Sequence, residues 1–424
     1  LRLIFFKMAT TSDRPKNALV FVFITLLIDI MGMAIIIPVI PKLIEELIQG
    51  DVNAASRYGG WLLFTFALLQ FICAPILGGL SDRYGRRPIL LIALLGMGVD
   101  YLFQAWAPTI TWLFVGRALA GVAGASFTTA SAYIADVSTP EKRAQNFGLI
   151  GVAFGLGFII GPVIGGLFAS FGSRVPFIVS AVFAFANFTY GYFALPESLS
   201  IRHRRRFEWK RANPLGSLLR LRKYSVVSGL VLSFVFVYLA SYAVQSVWTY
   251  YTMYKFGWDE ATVGISLGVV GALVMFVQGF LIRKIIPKYG QARSVFVGLL
   301  LYAFGLALFA FATQGWMMFV FLIPYCLGGI AGPALQGIIS GQVRSSEQGE
   351  LQGGLASIMS VTSIVGPLMM NYLFAYFSGK KAPVYFPGMP YLTGAVFMII
   401  AALLAIPTLN HIRDTHQADA AKQH

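Results

Sequence analysis

Gly79-Leu80-Ser81-Asp82-Arg83-Tyr84-Gly85-Arg86-Arg87-Pro88 is the stretch on which the fold turns. On either side, Leu62 to Leu80 and Ile89 to Val99 carry no charged residue. A short basic turn, broken by glycine between two apolar runs, predicts a pair of transmembrane helices. The turn is expected to face the cytoplasm, because Lys and Arg collect on that side of a membrane.

Composition extends the reading to the whole chain. Hydrophobic residues make up 57% and charged residues 12%, whereas a soluble domain carries about 25% charged residues. Mean hydropathy is +0.74. A membrane-crossing helix needs about 20 mostly apolar residues. Twelve such runs are predicted, at 18–40, 59–80, 88–107, 111–135, 146–169, 174–194, 225–251, 261–284, 293–313, 316–340, 351–377 and 389–409. The expected fold is all-α and integral to the membrane. Residues 1–17 form an amino-terminal segment, 18–194 a first six-helix bundle, 195–224 a basic linker, 225–410 a second bundle and 411–424 a tail.

The net charge of +15 raises nucleic acid as a partner, and its distribution argues against that. With the amino terminus inside, 25 of the 32 lysines and arginines fall on cytoplasmic segments and six on outer loops. The basic surplus therefore predicts topology, with both termini cytoplasmic, and some attraction to anionic lipid. Cys73 and Cys326 fall inside predicted spans and read as small packing residues. The first apolar run has full span length and no clear small-residue cleavage site, so no secretory signal peptide is expected.

The chain also repeats itself. At an offset of 205 residues Tyr84-Gly85 matches Tyr289-Gly290, Gly124 matches Gly329, Gly148 matches Gly353, and Gly161-Pro162 matches Gly366-Pro367. Six spans per half insert both halves in the same orientation, which is a parallel repeat. In such proteins the substrate site lies between the halves near mid-membrane.

Ionisable residues inside spans are costly, by about 2.5–3.5 kcal/mol on insertion scales, and are functional candidates by default. Asp29, Asp100 and Arg117 are the candidates for proton coupling. Each also has a structural reading: backbone bonding near Gly32 and Pro38, an entrance charge, and helix-to-helix hydrogen bonding, respectively. Asp82 at the membrane edge is expected to meet the positive end of a neighbouring helix and to act as a latch. Span 5 carries Gly157, Gly161-Pro162 and Gly165-Gly166, which reads either as close helix packing or as a hinge between the halves. Gln70, Gln245, Trp248, Tyr251, Gln278, Tyr302, Gln336 and Asn371 are candidates to line a cavity. For the aromatics, an interfacial belt is the alternative.

Taken together, these residues resemble the drug–proton antiporters of the major facilitator superfamily, typified by bacterial tetracycline efflux proteins. The turn at Gly79 to Arg87, Asp29-Ile30-Met31-Gly32, Gly116-Arg117, Phe154 to Gly166 and Pro333 to Gly337 carry the likeness, which covers nearly all of residues 18–410. The resemblance implies proton coupling through Asp29, Asp100 and Arg117, and drug contact at Gln70. It also implies a conformational latch of Asp82, Arg83, Gly85 and Arg86, and an antiporter motif at Gly157, Gly161, Pro162, Gly165 and Gly166. The chain departs from the Gram-negative tetracycline pumps at two points. Tyr302 stands where they carry a span 9 aspartate, and Val274 where they carry a span 8 histidine.

The expected protein is a monomeric bacterial inner-membrane transporter. It would export a hydrophobic or amphipathic compound against protons, with membrane lipid as its surroundings. No cofactor other than the coupling proton and no metal are expected. A nutrient importer on the same fold and a non-transporting membrane sensor are the alternatives. No nucleophile–base set or metal-ligand cluster suggests an enzyme.

Overall fold

A computed structural model describes residues 14–124, 126–138, 143–205, 207, 228–342, 348–379 and 382–421. Among them, twelve helices are long and apolar enough to cross a membrane. Spans 1 to 6 are Ala18–Ile35, Val52–Tyr84, Arg86–Ala105, Ile110–Val137, Asn146–Ala169 and Val175–Ala194. Spans 7 to 12 are Gly229–Phe256, Glu260–Tyr289, Gln291–Phe311, Gly315–Gly341, Leu351–Phe377 and Met389–Leu409. The expected twelve-span, all-helical architecture is present.

Two of the boundaries that differ from expectation have a clear local reason. Span 1 stops at Ile35, and a separate helix, Ile40–Ile48, follows. Pro38 cannot donate to the helical ladder and disfavours helix in the residue before it. Pro41 sits in the first turn of the new helix, where the missing N–H costs nothing. That helix buries Leu43 and Ile44, while Lys42 and Glu46 stay exposed, so it lies across one end of the bundle. Span 2 begins seven residues earlier than expected, at Val52. The Asp51 carboxylate accepts the Ala54 N–H at 2.9 Å and caps the helix, satisfying one orphan donor.

The repeat is visible in the backbone. Spans 2 and 8 end at Tyr84-Gly85 and Tyr289-Gly290, with glycine φ of +109° and +79°, a conformation open to glycine and rarely to other residues. Spans 4 and 10 are each interrupted at the matching position, after Ala123 and after Gly328. Pro162 and Pro367 lie inside spans 5 and 11. Between the halves, span 5 packs on span 8, and span 2 packs on spans 11 and 7.

Span 5 uses its small residues on two faces. Gly157, Gly161 and Gly165 lie against Ile30, Ala34 and Ile35 of span 1, inside the first half. Pro162 and Gly166 lie against Gly264 and Glu260 of span 8, across the halves. A methyl at Gly166 would come within 2.6 Å of the Glu260 carbonyl oxygen. Close packing and contact between the halves are therefore both present, on different sides of one helix.

The contact does not run the full depth of the protein. Toward the end that carries Asp82 to Arg87 (the basic end), a methyl at Gly78, Gly148, Gly151 or Gly279 would meet nothing within 4 Å. At the opposite end the halves are bolted together. Ser56 Oγ donates to Asn371 Oδ1 at 2.8 Å, Ser378 Oγ donates to Asn53 Oδ1 at 2.6 Å, and Asn53 Nδ2 donates to the Ser378 carbonyl at 3.3 Å. Among the described residues, the side-chain hydrogen bonds between the halves lie at this end.

Candidate transport site

Spans 3 and 4 place the buried charge. Asp100 is fully buried and Arg117 is 7% exposed, and the two form an ion pair. Gln104, one turn beyond Asp100 on the same helix face, donates its Nε2 to Asp100 Oδ2 at 2.9 Å. Such a pair persists in a dry interior only when its partners also hydrogen-bond it. The satisfaction is incomplete: among the described residues Arg117 Nε and Asp100 Oδ1 have no hydrogen-bond partner. The Arg117 guanidinium also lies 5.7 Å from the centre of the Phe66 ring.

Asp29 is half-buried on span 1, three residues before Gly32, and Tyr101 is buried on span 3. The Tyr101 ring approaches span 1 at Gly32, where a methyl would sit 3.5 Å away. Of the three coupling candidates, the fold joins Asp100 to Arg117 directly and sets Asp29 on the span that Tyr101 meets.

Beside the charge pair, between the halves, lies a cavity of about 90 Å³. Gln104 and Arg117 line it from the first half, and Gln245, Ser246, Thr249 and Tyr250 of span 7 from the second. Gln245 also donates its Nε2 to Ser241 Oγ at 3.1 Å. Gln70 is half-buried and donates to the Gly124 carbonyl at 3.0 Å, at the interruption of span 4. Gln278 is exposed in a π-helical turn, Val277–Leu281, a wide turn frequent at functional sites. Gln336 donates to Gln352 at 3.2 Å, linking spans 10 and 11.

Three candidates are corrected. Trp248 is buried and donates to Ser266 Oγ at 2.9 Å. Tyr251 is buried and donates to the Phe309 carbonyl at 2.8 Å. Tyr302 is turned to Tyr325, hydroxyl to hydroxyl at 3.0 Å. All three are spent on packing within the second half, because a large aromatic with one polar atom fits a bundle core once that atom finds a partner. Asn371 holds the halves together at the closed end. Cys73 and Cys326 are free thiols, half-buried and buried.

The basic turn forms a compact ion network. Arg86 pairs with Asp82 at 2.6 Å and with Asp136 of span 4 at 3.1 Å, and Arg83 lies over the Tyr84 ring at 5.0 Å. The expectation that Asp82 itself meets a helix N-terminus is not met here. The backbone N–H groups of Arg86 and Arg87, which open span 3 after Gly85, donate to the two carboxylate oxygens of Glu197 at 2.8 and 3.3 Å. The nearer acid, Asp82, is held by its (i, i+4) arginine. Sequence reading missed Glu197, Asp136, Gln104 and Tyr101. An acid at the start of a basic linker and a polar residue four beyond a membrane aspartate were the available signals.

Twelve spans in two like-oriented halves, with a buried charge pair beside a cavity between them, define a secondary transporter of the alternating-access class. The chain belongs to the Major Facilitator Superfamily, whose family profile matches residues 22–323 and 230–422. It is 39% identical over 362 residues to the class C tetracycline resistance protein of Escherichia coli, covering 85% of this chain and 91% of that protein. With the class H tetracycline resistance protein of Pasteurella multocida it shares 34% over 412 residues, 94% of this chain and 97% of the relative. A solved bacterial homolog of the human lysosomal transporter Spinster superposes with a TM-score of 0.74 at 15% identity, covering 95% and 98% of the two chains. That likeness shows the fold.

Proposed function

We propose that the protein exports tetracycline-like or related amphipathic compounds across a bacterial inner membrane in exchange for protons, leaving its cargo chemically unchanged. The observation that carries this reading is the Asp100–Arg117 pair, buried in span contact yet bordering the cavity between the halves. The tetracycline resistance proteins to which the chain is similar over most of its length support the substrate class.

With the basic end in the cytoplasm, a cleft open to that side has a polar wall, Gln70 and Gln278 included, that receives the compound. Protonation of Asp100 removes its charge and frees Arg117, which changes the balance between closed and open ends. Asp29, on the span that Tyr101 meets, couples to the same helix. Each proton crossing 100 mV inward contributes about 2.3 kcal/mol, enough to drive a modest gradient. The unit works as a monomer with no cofactor.

The test is transport of tetracycline in right-side-out vesicles with acid imposed outside. Efflux that speeds up with the gradient, and loses that response in Asp29→Asn or Asp100→Asn, is the expected result. Gradient-driven accumulation of tetracycline inside would instead make the protein an importer and sink the reading.

A further inference from the structure

The closed end holds a chain of polar groups that leads from the surface to the charge pair. Glu45 lies half-buried on the short helix Ile40–Ile48, and that helix walls one cavity through Ile40, Pro41 and Leu43 together with Tyr250 of span 7. Tyr250 is 5% exposed, and its hydroxyl rests on the backbone notch at Gly59 of span 2, where any side chain would collide with it. Behind it lies the 90 Å³ cavity with Gln104 and Arg117 on its far wall. A centre-accessible volume of about 10–15 Å³ holds one water if polar partners are present, so this space takes several. Arg117, whose Nε is buried and without a partner among the described residues, is one of the residues that line that space.

We infer that Glu45, the Tyr250 hydroxyl and the water-sized cavity at Gln104 and Arg117 form the inlet through which the coupling proton reaches Asp100 from the end opposite the basic turn. This rests on the proton-exchange reading above. The proton binds the Glu45 carboxylate from outside solution and leaves it again as carboxylate. It crosses by a hop in which the Tyr250 hydroxyl accepts one proton from the Glu45 side and gives its own to a cavity water. It ends on Asp100, whose negative charge is cancelled while Arg117 keeps its positive one.

The surroundings of Glu45 favour its protonated form. Burial pushes its carboxyl above the ordinary value; Lys42 opposes this, while Asp51, Glu260 and Glu46 reinforce it. Those four groups come from its own helix, from the cap of span 2 and from the start of span 8.

The experiment compares wild type, Glu45→Gln, Tyr250→Phe and the control Glu46→Gln, each reconstituted in liposomes. Two rates of tetracycline movement are read: transport driven by a pH gradient, and exchange without one. The expected result is a tenfold or greater loss of driven transport in Glu45→Gln with exchange within twofold of wild type, and a tenfold or greater fall in the ratio of driven transport to exchange in Tyr250→Phe. Partial rescue by Glu45→Asp and a flattened dependence on outside pH in Glu45→Gln are expected as well. Driven transport at the wild-type rate in both variants overturns the inlet while leaving proton exchange intact. Loss of exchange in proportion to driven transport overturns it too, since the residues would then serve structure. Wild type that exchanges tetracycline but ignores the gradient removes proton coupling itself, and the inlet with it.

Discussion

Ser56 on span 2 donates a hydrogen bond to Asn371 on span 11 at 2.8 Å, joining the two halves through side chains that are both fully buried. The bond exists only while that end of the protein is closed. Removing its donor leaves the Asn371 oxygen desolvated without compensation, at a cost of about 1–3 kcal/mol. Ser56→Ala should therefore favour opening of this end by at least about fivefold, 1.4 kcal/mol being tenfold. The check is the labelling rate of Thr249→Cys, in a background lacking Cys73 and Cys326, by a membrane-impermeant thiol reagent added at that end. An unchanged rate would show that the bond does not hold the closed state.

Neighbouring glycines of span 5 should give different phenotypes. Gly165 meets the backbone of Ile35 within its own half, and Gly166 meets Glu260 across the halves. Overpacking costs about 1–3 kcal/mol, so Gly165→Ala should lower the thermal midpoint of the purified protein. Gly166→Ala should instead leave the midpoint near wild type and raise labelling from the opposite end. Identical behaviour of the two variants would refute the division of faces.

Breaking the buried ion pair from one side should be worse than removing it. Asp100→Asn leaves Arg117 charged and unpaired, for which about 3–5 kcal/mol is the ordinary cost. The double variant Asp100→Asn/Arg117→Gln should recover much of that stability, read by thermal unfolding in detergent, and still show no gradient-driven transport. A double variant no more stable than Asp100→Asn contradicts the pairing.

The start of span 8 has a pH dependence whose sign is set by its cap. Bonds from the Thr262 hydroxyl and from the Thr262 backbone N–H, the latter at 2.9 Å, hold the Asp259 carboxyl below its usual range. A depressed carboxyl stabilises the fold above its unfolded value and stops doing so as pH falls through the folded one. Asp259→Ala should thus cost about 0.5–2 kcal/mol near neutral pH, and the gap to wild type should close below about pH 4. A gap that persists in acid means the capping carboxylate is not its source.

Much of this protein was legible in its sequence, because a bilayer leaves few solutions for long apolar runs. Every predicted span has a helical counterpart, and the matches at 205 residues reappear as paired breaks and paired prolines. The cavity residues were less legible. Gln245 lines the cavity, but Trp248, three residues on, is core, because Ser266 lies close enough on span 8 to take its N–H. No spacing along one helix announces such a partner on another. Glu197 was missed for the same reason: its two oxygens matter only because the chain after span 6 returns to the exposed N–H groups of Arg86 and Arg87.

Hydropathy, the siting of lysine and arginine, and internal repetition determined by themselves a membrane-spanning chain of two like-oriented halves, since those properties add up residue by residue along the chain. Tertiary structure alone decided which end is shut, which acid finds the arginine, and which aromatics are packed away. Each of those depends on distances between helices far apart in sequence, where a few ångströms separate a hydrogen bond from an open cleft.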